Sequence, residues 1–177
     1  PALLTGTTPR AYAGERMPAP QAKLPRLSPS RINTFISCPM KYRFQYIESV
    51  PSLPNVAMVR GSFVHRVLEL LLARAAQART LDAVRSDFEI AEGEFRLRDD
   101  FRLLMLDTTS EAEFWESCRE CVRAYYRIEQ PTTANIVELE KWVSAPLGEF
   151  EIGGFIDRLE RDNSGLVVSD YKTGAPK

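Results

Sequence analysis

The chain has 177 residues, of which 44% are hydrophobic and 27% charged, and its formal net charge is −1. This composition is typical of one globular domain with a core, and the net charge gives no global argument for binding nucleic acid. No apolar run approaches the roughly 18 residues of a membrane span and no secretory leader is present, so we expect a cytoplasmic protein with no membrane partner. The three cysteines do not suggest a disulfide framework, and we expect reduced or metal-bound thiols.

Residues 1–26 are rich in Pro, Ala, Gly and Thr and lack apolar periodicity. Such a segment cannot bury enough apolar surface to offset the entropy cost of ordering it. We therefore predict a disordered leader over residues 1–26 and a single domain over residues 27–177. Met17 is a plausible natural start within this leader.

Charge is unevenly distributed along the chain. From Lys23 to Arg66 there are seven basic residues and one acidic residue, a balance of +6. From Asp82 to Glu129 there are thirteen acidic and seven basic residues, a balance of −6. A basic segment that attracts phosphates, together with acids that hold cations, suits a metal-dependent nuclease. The alternative is that these charges only solvate helix faces.

The first helical pattern begins at Ser28, a favourable N-cap that is followed by Pro29 at the first helical position. Pro39 interrupts the pattern, which resumes over Met40–Ile47. Basic and aromatic residues are interleaved here, which suits contacts with a nucleic-acid backbone and base stacking, although we expect most of the aromatic side chains to be core. The candidate DNA-binding residues are Arg31, Lys41, Arg43 and, further along, Arg60.

The cysteines have two interpretations. Cys38 is either a small buried hydrophobe or one ligand of an iron–sulfur cluster whose other ligands lie elsewhere. Cys118 and Cys121 form a C-x-x-C pair inside a long amphipathic pattern, where positions i and i+3 share one helix face. No second cysteine pair completes a four-thiolate site, so we predict that both are core residues.

A helix with an apolar stripe opens at Val59–Glu69 and carries His65, the only histidine of the chain. Gly61 lies one turn earlier on the same face and leaves room there for the close approach of a strand or a phosphate. An imidazole can join carboxylates around Mn²⁺ or Mg²⁺, although a lone histidine is more often structural. Two more helices are predicted over Thr80–Phe95 and Ser110–Glu129, the second capped by Thr109 or Ser110 with Glu113, and the intervening Arg98–Thr109 shows no clear pattern.

Strand-like runs fill the carboxyl-terminal part of the sequence. Alternation predicts a strand over Ile136–Val143, where either Glu138 or Glu140 could support a metal site. A hairpin follows, with strands over Phe150–Leu159 and Gly165–Lys172 and a turn over Asp162–Gly165.

The hairpin brings two acids and an amine together. Asp170 and Lys172 share one strand face, and Asp157 on the partner strand can reach the same edge of the sheet. Carboxylates that hold a divalent cation beside a lysine suit the cleavage of phosphodiesters, because the cation neutralises the charge that develops. The alternative for the Asp-x-Lys pair is a solvated ion pair at a strand end.

Four segments in this order, LSPSRINTFISCPMKYRFQYI, VRGSFVHRVLE, GGFIDRLE and VVSDYKTG, resemble the RecB-type nuclease domain of the PD-(D/E)XK superfamily. The sequence is also similar to the nuclease modules of AddB and of CRISPR-associated RecB-like exonucleases. The resemblance implies an α/β restriction-endonuclease-like fold, in which a mixed central sheet is flanked by helices and a helical insertion is present. It further implies a Mg²⁺- or Mn²⁺-dependent DNA exonuclease of repair or recombination, with a helicase or another recombination protein as a partner.

The resemblance also implies roles for individual residues. His65, Asp157, Asp170 and the carbonyl of Tyr171 would hold the metal, and Lys172 would act with the two aspartates in catalysis. Cys38 matches an amino-terminal cysteine that joins three later cysteines around a 4Fe–4S cluster in some members. The sequence stops at Lys177 before those cysteines and before the last helix and strand of the fold, so we expect a fragment.

Two other functions stay open. The chain could be a catalytically inactive module that binds a DNA end or a partner while keeping the nuclease fold. A weaker alternative is a structural protein whose cysteines bind a metal.

Overall fold

The computed structural model describes residues 25–174, so nearly all of the predicted leader lies outside the described residues. The structure contains a mixed sheet of four strands, β1 Arg26–Leu27, β2 Ile136–Leu147, β3 Phe150–Asp162 and β4 Gly165–Ser169. Strand β3 lies at its centre and pairs antiparallel with β2 from Phe150 to Glu160. On its other edge β3 pairs first with β1, in parallel, and then with β4, antiparallel.

The helices flank this sheet, and the predicted helical insertion is present between α3 (Val56–Leu72) and β2. The insertion consists of three helices, α4 (Leu81–Arg96), α5 (Asp99–Arg102) and α6 (Thr108–Ile128), and the short α5 lies inside the segment that showed no clear pattern. The fold class predicted from the sequence is thereby confirmed. The helices are α1 Pro29–Ser37, α2 Pro39–Tyr42, α3 Val56–Leu72, α4 Leu81–Arg96, α5 Asp99–Arg102 and α6 Thr108–Ile128, with a π-helical turn at Arg43–Ile47 after α2 and 3-10 turns at Ala76–Ala78 and Pro131–Thr133. No helix within residues 25–174 is long and apolar enough to cross a membrane.

The start of α1 is as predicted, whereas α6 begins earlier than expected. The hydroxyl of Ser28 accepts the N–H of Arg31, and Pro29 occupies the first turn. At α6 the N-cap is Asp107, whose carboxylate accepts the N–H of Ser110 at 2.8 Å. A carboxylate is favoured at this end of a helix because it faces the positive end of the helix dipole, and the predicted capping by Thr109 or Ser110 with Glu113 is wrong.

The hydrophobic core lies among the helices. Phe63 on α3 is completely buried and packs edge-on against Phe88, Phe95 and Trp115. Cys118 on α6 is also fully buried, and burial raises the pKa of its thiol to about 12. Its place in the hydrophobic core confirms the prediction that Cys118 is a core residue.

The β2–β3–β4 meander follows the predicted order with different strand ends. The tight turn after β3 is confirmed: the carboxylate of Asp162 accepts the N–H groups of Ser164 and Gly165, and Gly165 has a φ of +135°. The strand predicted over Gly165–Lys172 ends at Ser169. The chain leaves the ladder there and runs past α3 instead, where its backbone finds new partners.

The aromatic residues of the first two helices are not core, which contradicts the prediction. Neither α1 nor α2 has a buried residue, and Phe35, Phe44 and Ile47 are all exposed. Tyr42 packs only locally in rings with Phe35 and Tyr46. Helical periodicity identifies the apolar side of a helix, but it does not show that another element covers that side.

Candidate metal centre

His65 is presented by α3 at the surface that faces the end of the sheet. Its neighbours Val64, Val67 and Leu68 are buried in the core and fix the helix. A Cβ added at Gly61, one turn earlier, would lie 3.3 Å from Oγ1 of Thr173, so the segment after β4 approaches this helix closely. The close approach expected beside Gly61 is confirmed, and the partner is the segment that follows β4.

The backbone of Tyr171 orients the imidazole. Nε2 of His65 lies 2.9 Å from the carbonyl oxygen of Tyr171. Because a carbonyl can only accept, Nε2 carries the proton, and in the neutral ring Nδ1 is left with a free lone pair. In metal-binding histidines one ring nitrogen binds the metal, and the other commonly donates its N–H to a backbone carbonyl. The predicted role of the Tyr171 carbonyl was that of a direct ligand, and here it holds the histidine.

Asp157 on β3 lies on the other side of this imidazole. Its Oδ1 atom is 3.6 Å from Nδ1 of His65, and its Oδ2 atom accepts the N–H of Tyr171 at 2.7 Å. The side chain of Asp157 is only 11% exposed. The structure therefore brings together three of the residues that were predicted for the metal site.

A second carboxylate, from Glu140 on β2, completes a cluster. One ligand atom from each of His65, Asp157 and Glu140 lies within 4.8 Å of the others. Glu140 sits between two residues of β2 that pair with the neighbours of Asp157 on β3, so the two acids oppose each other across the ladder. Its φ of +47° is rare for a residue with a side chain.

The electrostatics of the cluster favour a cation. Burial raises the pKa of the Glu140 carboxyl, and the negative charge of Asp157 raises it further. The separation of 3.6 Å between His65 and Asp157 is too long for a hydrogen bond. It is close to the spacing of about 3 Å between two ligands that each bind a divalent cation at about 2.0–2.2 Å. One imidazole and two carboxylates are a donor set that fits Mn²⁺ or Mg²⁺.

Of the two candidate glutamates on β2, the structure favours Glu140. Glu138 is exposed and pairs with Lys141 at 2.7 Å. The sequence does carry a signal for Glu140, because the two-residue turn at residues 148–149 sets the register of β2 against β3. Counting back from that turn places Glu140 opposite Asp157.

Asp170 and Lys172 lie beside the cluster but are not part of it. Nζ of Lys172 is 2.5 Å from Oδ2 of Asp170, and both side chains are exposed, by 78% and 55%. Lys172 lines the same open cleft of about 750 Å³ as His65 and Glu140. The structure thus places the lysine in the same cleft as His65 and Glu140, whereas Asp170 does not join the three clustered ligands.

Arg158 was not predicted from the sequence, yet it contacts a residue of the site, Tyr171, as well as two acids. It follows Asp157 on β3, is 4% exposed, and donates to Glu129 at 2.7 Å and to Glu160 at 3.1 Å. Its guanidinium lies 5.6 Å from the ring centre of Tyr171. That ring is largely buried, and burial raises its pKa to about 12.

The predicted DNA-binding residues are spread over the amino-terminal helices. Arg60 on α3 reaches the site, since its guanidinium lies 3.4 Å from the carbonyl of Thr173. Arg31 lies over the ring of Tyr46 at 4.8 Å. Arg43 pairs with Glu48 at 2.6 Å, and Lys41 is exposed.

Cys38 is exposed, so its interpretation as a buried hydrophobe is wrong. Its Sγ atom accepts the N–H of Lys41 at 3.4 Å and caps α2. The other two cysteines lie on α6, and among the described residues the one group that could hold a metal is that of His65, Glu140 and Asp157.

A comparison with known protein families identifies the superfamily of the chain. The model of the PD-(D/E)XK nuclease superfamily matches residues 26–177, which is most of the chain. No curated protein matches the chain. The matched segment contains every residue of the His65, Glu140 and Asp157 cluster together with Lys172. The chain therefore belongs to the PD-(D/E)XK nuclease superfamily.

Proposed function

We propose that the protein is a metal-dependent DNA nuclease of the RecB type that acts as an exonuclease in repair or recombination. The observation that carries the proposal is the cluster of His65, Asp157 and Glu140, whose ligand atoms lie within 4.8 Å of one another. The cluster opens into the cleft that Lys172 also lines. Membership of the nuclease superfamily supports a metal-dependent nuclease, and the RecB type and the exonuclease activity are the finer part of the proposal.

In this proposal His65, Asp157 and Glu140 hold Mg²⁺ or Mn²⁺, and Asp170 adds a further oxygen once its contact with Lys172 opens. A cation held by these residues would neutralise charge at the scissile phosphate and lower the pKa of a water molecule. Lys172 orients the attacking water or steadies the phosphate through its three N–H donors. Tyr171 keeps the imidazole in the tautomer that offers Nδ1 to the cluster.

The test is a cleavage assay on end-labelled single- and double-stranded DNA with Mn²⁺, Mg²⁺ or EDTA. We expect cleavage with either metal and none with EDTA. Asp157→Asn should abolish cleavage, while Asp82→Asn, which changes an exposed aspartate on α4, should leave it intact. Absence of cleavage by the unaltered protein under all conditions would overturn the proposal.

Lys172 is tested separately, because it touches the substrate rather than the metal. Lys172→Met should reduce the cleavage rate by about 100-fold or more, the usual size of a lost catalytic proton or charge contact. Mn²⁺ affinity, measured by calorimetry, should not fall. Arg85→Met, which removes an exposed positive charge on α4, serves as the control.

The contact between Asp170 and Lys172 favours a second candidate, an inactive module that binds DNA ends or a partner. In that contact the acid and the amine neutralise each other outside the cluster. Such a module would bind DNA without Mg²⁺- or Mn²⁺-dependent cleavage, and Asp157→Asn would then change nothing in the assay.

The proposal also covers protein partners and an iron–sulfur cluster. A nuclease of this type would act with a helicase or another recombination protein in the cytoplasm. An iron–sulfur cluster at Cys38 would need ligands from outside the described residues, and elemental analysis for iron and zinc tests that point directly.

A further inference from the structure

An exposed aromatic pair stands next to the metal cluster. Trp142 on β2 and Phe155 on β3 are direct partners in the ladder, and their ring centres lie 5.0 Å apart. Trp142 is 39% exposed and Phe155 is 64% exposed. Aromatic rings are the side chains that gain most from burial, so this pair is able to bind an apolar or aromatic group.

The register fixes where the pair lies. Each ring belongs to a residue two positions from a cluster acid: Trp142 from Glu140, and Phe155 from Asp157. Side chains two apart on a strand share one face and are separated by about 7 Å. The aromatic pair therefore lies on the same face of the sheet as the cluster acids. The separation of about 7 Å is roughly the length of one extended nucleotide.

Trp142 is held in a defined position. A Cβ added at Gly153 would lie 2.5 Å from Cζ2 of the indole, so the ring packs directly on the glycine backbone. The guanidinium of Arg26 lies 5.7 Å from the ring centre on this face. Arg26 also pairs with Glu151, which fixes its position at the end of β1. Phe155 is left as the more open of the two rings.

We propose that Phe155 and Trp142 form a base-stacking subsite for an unpaired nucleotide next to the scissile phosphate. The inference rests on the proposed nuclease function, because that function is what places the scissile phosphate beside the pair; the stacking itself needs no metal. Every base has a flat face that stacks on an aromatic ring. In a duplex that face is covered by the neighbouring base pair, so the subsite favours single strands and frayed ends.

The first test uses fluorescence without metal. The protein contains two tryptophans, and Trp115 is only 4% exposed, so a change in emission on binding reports Trp142. In EDTA, addition of oligothymidylate should quench the emission, and Trp142→Phe should lose the quenching. Duplex DNA of the same length should quench less. Unquenched emission at saturating oligothymidylate would overturn the inference.

The second test measures binding by fluorescence anisotropy of a labelled oligonucleotide. Phe155→Leu should weaken single-strand binding about tenfold, because it keeps an apolar side chain and removes the ring. Phe150→Leu is the matched control, since Phe150 lies on the same strand and is 42% exposed but is remote from the cluster. Equal losses in the two variants would overturn the inference.

The outcomes separate the subsite from the nuclease function. Phe155-dependent binding with no metal-dependent cleavage keeps the subsite and refutes the enzyme. Cleavage that is unaffected by Phe155→Leu and by an abasic site beside the scissile phosphate keeps the enzyme and refutes the subsite. A Trp142 emission maximum that already reports burial, together with concentration-dependent self-association, would show that a second protein copy covers the pair and would also refute it.

Discussion

The imidazole of His65 and the backbone carbonyl of Tyr171 are 2.9 Å apart although 106 residues separate them in the sequence. The N–H of the same tyrosine binds Asp157. One residue that follows β4 therefore sets the position of both a helix ligand and a strand ligand. The geometry of the cluster depends on how closely this segment lies against α3.

That dependence can be tested at Gly61. Gly61→Leu places a side chain where Thr173 now lies, so the segment with Tyr171 must move and the affinity for Mn²⁺ should fall by about 10- to 100-fold, as is usual when the support of a ligand is lost. Calorimetry measures the affinity. Gly93→Leu is the control: Gly93 lies in α4 with nothing within 4 Å of an added Cβ, and leucine there should leave metal binding unchanged and stabilise the helix by about 1 kcal/mol.

The role of Glu140 as a ligand can be separated from general charge effects. Glu140→Gln should weaken Mn²⁺ binding by at least about tenfold, because one of the two carboxylates of the cluster is lost. Glu138→Gln removes the same charge two residues earlier on β2, where it pairs with Lys141, and should have little effect. Similar losses in the two variants would show that Glu140 does not bind the metal. The measurement is a calorimetric titration of the metal-free protein.

Arg158 should contribute to the stability of the protein through its two ion pairs. Arg158→Met leaves Glu129 and Glu160 without their partner in a largely buried position, and should cost about 3 kcal/mol in the free energy of unfolding. The double variant Arg158→Met/Glu129→Gln should recover part of this loss, because it removes one of the two unpaired charges. Urea denaturation gives the free energies. If the double variant is as unstable as the single one, the ion pair is not the cause.

The dependence of the free energy of unfolding on pH, in the acid range, should involve Glu111. The indole N–H of Trp115 donates to this carboxylate, and together with Arg96 it lowers the pKa of Glu111 below its usual value. A lowered pKa contributes stability above the unfolded pKa, and that contribution is lost as the pH falls through the folded pKa. Glu111→Gln should therefore destabilise the protein by about 1 kcal/mol at pH 7, and the difference should shrink below about pH 4.

Urea denaturation at pH 7 and at pH 3 measures this difference. Glu113→Gln is the matched control, since Glu113 is exposed on the same helix. A difference between Glu111→Gln and the unaltered protein that is equal at both pH values would contradict the assignment.

Much of the fold could be predicted from local patterns. The caps and prolines that begin α1 and α2, the apolar stripe of α3 and the tight turn at Asp162 are all set by residues close in sequence. The exposure of α1 and α2 could not be predicted, because it depends on what packs against them. The early end of β4 could not be predicted either, since the residues after Ser169 find partners on α3, more than 100 residues away in the chain.

The candidate site divides in the same way. Residue types and the resemblance to known nucleases selected His65, Asp157 and Lys172, and the structure brings the first two together beside a cleft that the third lines. Strand alternation left Glu138 and Glu140 as alternatives, and the strand register selects Glu140. Arg158 could be identified only with knowledge of which side of β3 faces the helices. Strand alternation placed Asp170 and Lys172 on one strand face, but β4 ends at Ser169 and the two side chains form an ion pair with each other. Alternation alone does not predict that ion pair.

In the sequence, the helical insertion lies between His65 and the two acids of the candidate metal site, Glu140 and Asp157, so the ribosome makes them at different times. Helix α3 is made first, then α4 to α6, and the strands with Glu140 and Asp157 are made last. Bringing the ends of so long a segment together is entropically costly until its helices have packed against α3. A chain still emerging from the ribosome therefore contains His65 before it contains Glu140 and Asp157, so the candidate metal site can form only after β2 and β3 have been made.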